Sequence, residues 1–462
     1  MLENLIGQSS QVLPNGLPFH WLIILPVILI LISRKLFNLP LFVLVLILVL
    51  PSLVHSNHGS VSFGLMLSSL IIFGTSFSYS GIKKINFLLP RNFVLFFITL
   101  ILIIFLHSFF VFWLNTDSLH FNRLIISFVG LLTLIATAYI FVYQFIKLGN
   151  DDAAKILKWI WYFIIFLTIL VLIRYAVFSP FYKHNLTILA IFSEPSHFVL
   201  ACLPFFLFKF IVSNSSTRLL LLTTLVSLAF ILRSSTAMIG VILMFLFLDS
   251  SVITKKSKFY YFLLTVLLLY VYITYIYPQL SELNPIRYIS DRAFDFFKPI
   301  SIETNMSSLA VFMNWHEAIM NFLNTKGMGI GFQQSGIYGF QSYMADLIYL
   351  QTEMDPNGAV PWKIRFESFV LAPKLISEFG ILGVLAICYY LKYFIVSIKY
   401  LINTLNNINN NILTSTNFDI LFHSFYVLYF ISLFLRGVGY FSVSTFFFLS
   451  SIIYLFFLKK NK

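Results

Sequence analysis

The sequence predicts an all-α, polytopic transmembrane helical bundle of about 12–14 spans, with one large outer loop containing amphipathic helices. Three observations lead there. The 462 residues are 59% hydrophobic and 18% aromatic, with only 10% charged. Their mean hydropathy is +0.92, whereas a soluble chain carries roughly 25% charged residues. The apolar residues come in blocks of roughly 16 to 25, the length a helix needs to cross about 30 Å of hydrocarbon. Hydrocarbon offers backbone groups no water, so such blocks fold as helices. A spanning β-barrel would need short alternating segments, which these blocks lack.

The blocks place spans at 18–33, 39–54, 61–79, 93–114, 124–147, 156–178, 187–212, 218–232, 235–250, 259–277, 368–398, 418–435 and 437–458. Charge tests this count. Lysine and arginine gather in alternate connections: Arg34/Lys35, Lys83/Lys84/Arg91, Lys147/Lys155/Lys158, Lys209/Arg218, Lys255/Lys256/Lys258, Lys392/Lys399 and Lys459/Lys460/Lys462. The positive-inside rule makes these cytoplasmic, which puts the C-terminus inside and, with thirteen spans, the N-terminus outside. The chain then divides into helices at 1–277, a large outer loop at 278–367, and closing helices at 368–462. No removable signal peptide is expected, the first span acting as its own anchor.

The loop holds nine of the 17 acidic residues. Stretches 286–297 and 308–323 have helical periodicity with one apolar face, as expected of helices that lie on the membrane or cap the bundle. A loop of this length in an economical chain points to function. The net charge of +13 reflects the inner lysine excess and calls for no nucleic acid. Cys202 and Cys388 lie inside apolar blocks and suggest neither disulfide nor metal. Neither an Asp-x-Asp pair nor a cysteine–histidine cluster is present, so no metal and no cofactor are expected.

Arginine departs from the charge rule. Of ten arginines, only Arg34, Arg91 and Arg218 fall inside, while Arg123, Arg174, Arg233, Arg287, Arg292, Arg365 and Arg436 fall outside. Guanidinium is a planar fork suited to phosphate. Held against the rule on the outer face, the group suggests an anion near the membrane plane, such as a lipid phosphate. Salt bridges to loop acids are the alternative. Arg233 and Arg436 stand in tight turns between spans, which would position them firmly; snorkelling anchors are the alternative there.

Ser193-Glu194-Pro195-Ser196-His197 lies a third of the way into an apolar block entered from outside. Serine caps helices and proline suits the first turn, so the helix can begin here with its N–H groups open to an anion. Glu194, an acid in apolar surroundings, must be paired or raised in pKa. Arg287, Asp291 and Asp295 follow an i, i+4, i+8 spacing and could pair along one face, which leaves Arg292 freer to meet a ligand. His316 and Glu317 follow Trp315 in the second loop helix. Lys374 and Glu378 stand one turn apart in an expected span, where they can neutralise each other. The run Gly327-Met328-Gly329-Ile330-Gly331 follows no strand and lacks Gly-Lys-Ser/Thr, so it is not a nucleotide loop.

The arrangement resembles the polytopic glycan polymerases and ligases of the bacterial surface, and among them the Wzy-type O-antigen polymerases. Phe192-Ser193-Glu194-Pro195-Ser196 is similar to the polymerases' Phe-x-Glu-Pro-Ser segment. Leu232-Arg233-Ser234-Ser235-Thr236 is similar to the family's Ser/Arg segment. Asn314-Trp315, Gly327 to Phe332 and Ile376-Ser377-Glu378-Phe379-Gly380-Ile381-Leu382-Gly383 resemble its tryptophan, Gly-x-Gly and Glu-x-Gly-Ile-x-Gly series. The likeness covers roughly 185–400. Many relatives have arginine where this chain has Asn314. Ligases carry His-Asn where it reads Phe366-Glu367-Ser368-Phe369, which tilts the choice toward a polymerase.

The resemblance implies an inner-membrane enzyme with its active site facing the periplasm. It would transfer glycan between undecaprenyl-pyrophosphate-linked oligosaccharides without a metal, with inversion. Arg233, with Arg292, Arg287 and Arg436, would stabilise the departing pyrophosphate, helped by the helix start at Ser193 and Ser196. Glu194, Glu367, His197 and His316 are the candidate bases. Trp315, Glu317 and Tyr440 would contact glycan. The implied partners are membrane lipid, the lipid-linked oligosaccharide and a chain-length regulator protein. A lipid-linked oligosaccharide flippase is the competing class.

Overall fold

The computed structural model describes residues 39–53, 57–58, 61–62, 64–65, 67–72, 90–114, 121–148, 150–173, 195–232, 234–247, 300–301, 304, 306–335, 339–353, 370–409, 417–437 and 439–458. Expected spans 18–33 and 259–277 and the expected loop helix 286–297 lie outside the described residues.

Among the described residues the regular structure is helical apart from one antiparallel pair of two-residue strands, β1 (Asn57–His58) and β2 (Val61–Ser62). Its helices are α1 (Leu39–Leu53), α2 (Arg91–Leu114), α3 (Phe121–Lys147), α4 (Asn150–Ile173), α5 (Pro195–Val212), α6 (Ser215–Ile231) and α7 (Ser235–Phe245). They continue with α8 (Met306–Asn324), α9 (Met344–Glu353), α10 (Leu371–Phe379), α11 (Ile381–Asn409), α12 (Asn417–Phe434) and α13 (Val443–Ile452). The last of these runs on as a wider π turn over Ile453–Leu458. Among the described residues, five segments are long and apolar enough to cross a membrane: Arg91–Leu114, Arg123–Lys147, Ala154–Leu172, Ile381–Ile408 and Asn417–Phe434. Four shorter apolar helices accompany them. This is a helical membrane protein.

α12 is the axis of the bundle. It is buried along nearly its whole length, from Phe418 to Leu433, and α5, α11 and α13 pack around it. Aromatic rings fill those contacts: Phe425 stacks on Phe447 at 4.4 Å and Tyr429 on Phe448 at 4.0 Å. A helix apolar all round belongs in such an interior. α2 differs, being more apolar yet exposing Leu95, Phe96, Leu102, Leu106 and Trp113. Such a surface suits lipid.

Local chemistry sets several boundaries. α5 begins at Pro195, where a missing N–H costs no helical bond. At its far end the buried Arg218 of α6 folds back, donating from Nε to the Phe210 carbonyl at 3.0 Å and from Nη2 to that of Ile211 at 3.3 Å. A cation thereby satisfies orphan carbonyls at a helix C-terminus. Ser234 caps α7 by accepting the Ala237 N–H at 3.3 Å.

One expected span is divided. The apolar block 368–398 folds as two helices, α10 and α11, separated at Gly380, whose φ is +57°. Breaking a helix at membrane depth strands carbonyls and N–H groups. Here the glycine run of the preceding loop takes them up. Ile330 N–H bonds the Ser377 carbonyl at 2.9 Å, Gly331 N–H that of Glu378 at 2.9 Å, and Ile381 N–H the Gly327 carbonyl at 2.8 Å. Hydropathy could not show this break, because the block is apolar on both sides of it.

Candidate functional site

The loop run 327–335 lies between α2 and α10. Toward α2, His107 Nε2 donates to the Met328 carbonyl at 2.8 Å, and Phe332 N–H donates to Ser108 Oγ at 3.3 Å. Toward α10 it makes the three backbone bonds above. It then wraps the carboxylate of Glu378. Ser335 N–H reaches Oε1 at 3.4 Å, the Gln333 N–H bears on the same group, and Tyr440 OH donates to Oε2 at 3.0 Å. Gln333 holds a left-handed φ of +61°, so that neighbouring N–H groups turn toward one anion. Besides these donors, the Lys374 and Arg123 charges act on the same carboxylate.

Lys374 and Glu378 are both fully buried. The Lys374 ammonium donates to Gln333 Oε1 at 3.3 Å and lies 4.9 Å from the centre of the Tyr440 ring. The i, i+4 neutralisation read from sequence is thus one part of a larger polar junction. It joins α10 to the glycine loop, to the turn before α13 and, through Arg123, to α3.

A second polar group lies along α8. Asn321 Nδ2 donates to Ser377 Oγ at 2.8 Å, while its Oδ1 accepts the Phe340 N–H at 2.6 Å. One turn earlier, Glu317 Oε1 accepts the Ser342 N–H at 3.2 Å, and His316 Nδ1 shares a hydrogen bond with Ser342 Oγ at 2.8 Å. Three side chains of α8 therefore hold the strip 340–342. Asn314 is buried, and its Oδ1 accepts the Val370 N–H at the start of α10.

Burial lifts the Glu317 carboxyl to about 7, against the pull of the Ser342 N–H. The folded protein thus holds this proton more tightly than the unfolded chain does, where the carboxyl titrates near 4.5. Stability contributed at this site falls as pH rises from 4.5 to 7 and is level above. Glu317→Gln is expected to remove that slope, measured as the difference between wild-type and variant melting temperatures in detergent across this range; parallel curves would refute the assignment.

The expected site residues fall into two sets. Ser193, Glu194, Arg233, Arg287, Arg292 and Glu367 lie outside the described residues. Ser196 and His197 occupy the first turn of α5, half-buried. Arg436 follows the end of α12, with its N–H on the Ile431 carbonyl at 2.8 Å. Tyr440 spends its hydroxyl on Glu378, and Trp315 packs against the core formed by Leu371, Ile387 and Tyr429. His316 and Glu317 meet at Ser342. Asn321, Gln333, Ser342 and Ser377 were not read from the sequence as site residues; the one signal that could have found any of them is the i, i+4 spacing of Asn321 from Glu317. Among the described residues, no group of three or more histidine, cysteine, aspartate or glutamate residues could hold a metal ion. No protein-family model, curated protein or solved structure matches the chain.

Proposed function

We propose that this chain is an inner-membrane glycosyltransferase of the O-antigen polymerase type. On this reading it joins undecaprenyl-pyrophosphate-linked oligosaccharide repeat units at the periplasmic face of a bacterial membrane. One observation supports it above the others. The Trp315 helix, the Gly327–Gly331 run and the Ile376–Gly383 segment, which carry the family likeness, meet around Glu378, with the Arg123 charge acting on it.

The proposed reaction is a single displacement. An acceptor hydroxyl attacks the anomeric carbon of the donor, and the lipid pyrophosphate leaves with the bonding electrons. Fixed guanidinium groups stabilise the charge that develops there. Arg233 takes this role, with Arg292, Arg287 and Arg436 assisting and the N–H groups of the helix start at Ser193 and Ser196 contributing. Glu194, Glu367, His197 and His316 are the candidates to receive the hydroxyl proton. A chain-length regulator is the expected protein partner.

The test is deletion of the gene in its native host, with surface polysaccharide resolved by electrophoresis. Cores capped by a single repeat, with the ladder lost, are expected. Bare cores with lipid-linked polymer accumulating would indicate a ligase. Bare cores without that polymer would indicate a flippase, and an unchanged ladder would overturn the reading.

A further inference from the structure

We infer that the strip between α8 and α9 forms the subsite for the acceptor saccharide, with Glu317 as the group that takes the proton from its hydroxyl. This rests on the glycosyl-transfer reading above and assigns a base outside the set named there.

The geometry carries it. Adjacent residues of a helix point about 100° apart, yet His316 and Glu317 both close on residue 342. Each spends one atom on it. Oε2 of Glu317 and Nε2 of His316 have no hydrogen-bond partner among the described residues, so each side chain keeps one polar atom for a ligand. The side chains are held from behind: Ser342 Oγ also accepts the Met344 N–H at 3.3 Å, fixing the hydroxyl that orients the imidazole. Phe340 and Tyr343 stand edge-on to that imidazole, with ring centres 5.3 and 6.0 Å away. Tyr343 is 56% exposed. An exposed aromatic face beside a carboxylate and an imidazole suits the apolar face of a pyranose and its neighbouring hydroxyls.

Glu317 also meets the electrostatic demands on a base. The titratable groups with described side chains on the elements packed against α8 are Tyr343, just before α9, Asp346 on α9, and Lys374 and Glu378 on α10; α9 also carries Tyr349 and Glu353. None of them enters its shift, which burial and the Ser342 N–H account for. A carboxyl titrating near the working pH is both ionised often enough and basic enough to serve. In the step, the acceptor O–H proton moves to Glu317 Oε2 and the acceptor oxygen bonds to the donor's anomeric carbon. The bond from that carbon to the pyrophosphate oxygen breaks, its electron pair leaving with the lipid pyrophosphate. Water then removes the proton from Glu317.

The experiment uses the full-length protein in nanodiscs with lipid-linked repeat units from the native host, following chain elongation. Glu317→Gln keeps an oxygen for the Ser342 N–H. It is expected to lower kcat at least about 100-fold, to leave the acceptor KM within about twofold, and to abolish the acid limb of the pH–rate profile. Tyr343→Ala is expected to raise the acceptor KM about tenfold with kcat retained. Binding of the free repeat oligosaccharide, read by tryptophan fluorescence, should weaken in parallel. Glu317→Gln with wild-type kcat and an intact acid limb, at unchanged melting temperature, overturns the inference. If the wild type fails to elongate while oligosaccharide binding still depends on Tyr343, the polymerase reading falls and the saccharide subsite stands. If neither elongation nor Tyr343-dependent binding is seen, both fall.

Discussion

Glu378→Ala is expected to be among the most damaging single substitutions in this protein, costing about 3–5 kcal/mol. The carboxylate is fully buried, and its loss leaves the fully buried Lys374 without the charge opposite it. It also strips the acceptor from Tyr440 OH and from the Ser335 N–H. The measurement is thermal unfolding in detergent. Removing both charges with Lys374→Met and Glu378→Leu is expected to recover much of the loss, since opposite buried charges exchanged together for apolar residues of similar volume often leave stability unchanged. A double variant as unstable as the single one would mean that the hydrogen bonds around the carboxylate, and not its charge, hold the junction.

Gly329→Ala is the second large effect expected. Gly329 has φ +83°, and a Cβ there would stand 2.5 Å from the Glu378 carbonyl oxygen, with nothing flexible to yield. Left-handed backbone in a residue with a side chain costs of order 1–3 kcal/mol, and the overlap adds about 1–3 more. Gly380 sits across the same crossing, packed on the Gly327 carbonyl. The loop must retreat from α10, breaking the bonds that satisfy its last carbonyls. Melting should fall, and on the proposed glycosyl-transfer reading elongation should be lost with it. By contrast, alanine at Gly327, where a Cβ would meet the Phe322 ring at an ordinary 3.4 Å, should be milder. Equal effects at 327 and 329 would refute the close-approach argument.

These two positions also show how far sequence reasoning reached. Helix character and most span limits follow from apolar block length alone, which is why 417–434 and 91–114 fall within a few residues of expectation. The α8 helix followed from periodicity and extends two residues earlier and one later than the expected 308–323. α9 was missed because its ten residues are too mixed in character to stand out. The division at Gly380 was missed because periodicity records what a segment buries, not where its carbonyls find donors. The glycine run was dismissed as a nucleotide loop on sound grounds, yet its real partner is a helix end, a tertiary fact with no local signature. Lys374 and Glu378 were legible as a pair. The Tyr440 hydroxyl that completes them comes from 62 residues further along the chain, a distance no spacing rule spans.

That separation bears on how the protein is made. α11 is apolar enough to enter the bilayer on its own merits, whereas α10, holding a lysine and a glutamate, is not a span in its own right. It must shelter against surfaces contributed by earlier and later parts of the chain. The glycine loop and α8 precede it during synthesis, so its carbonyl ends and Lys374 find partners at once. Tyr440 emerges only after α11 and α12 have been made. The nascent chain therefore carries Glu378 past two membrane crossings before its last donor exists, and the junction closes only when the final hairpin docks.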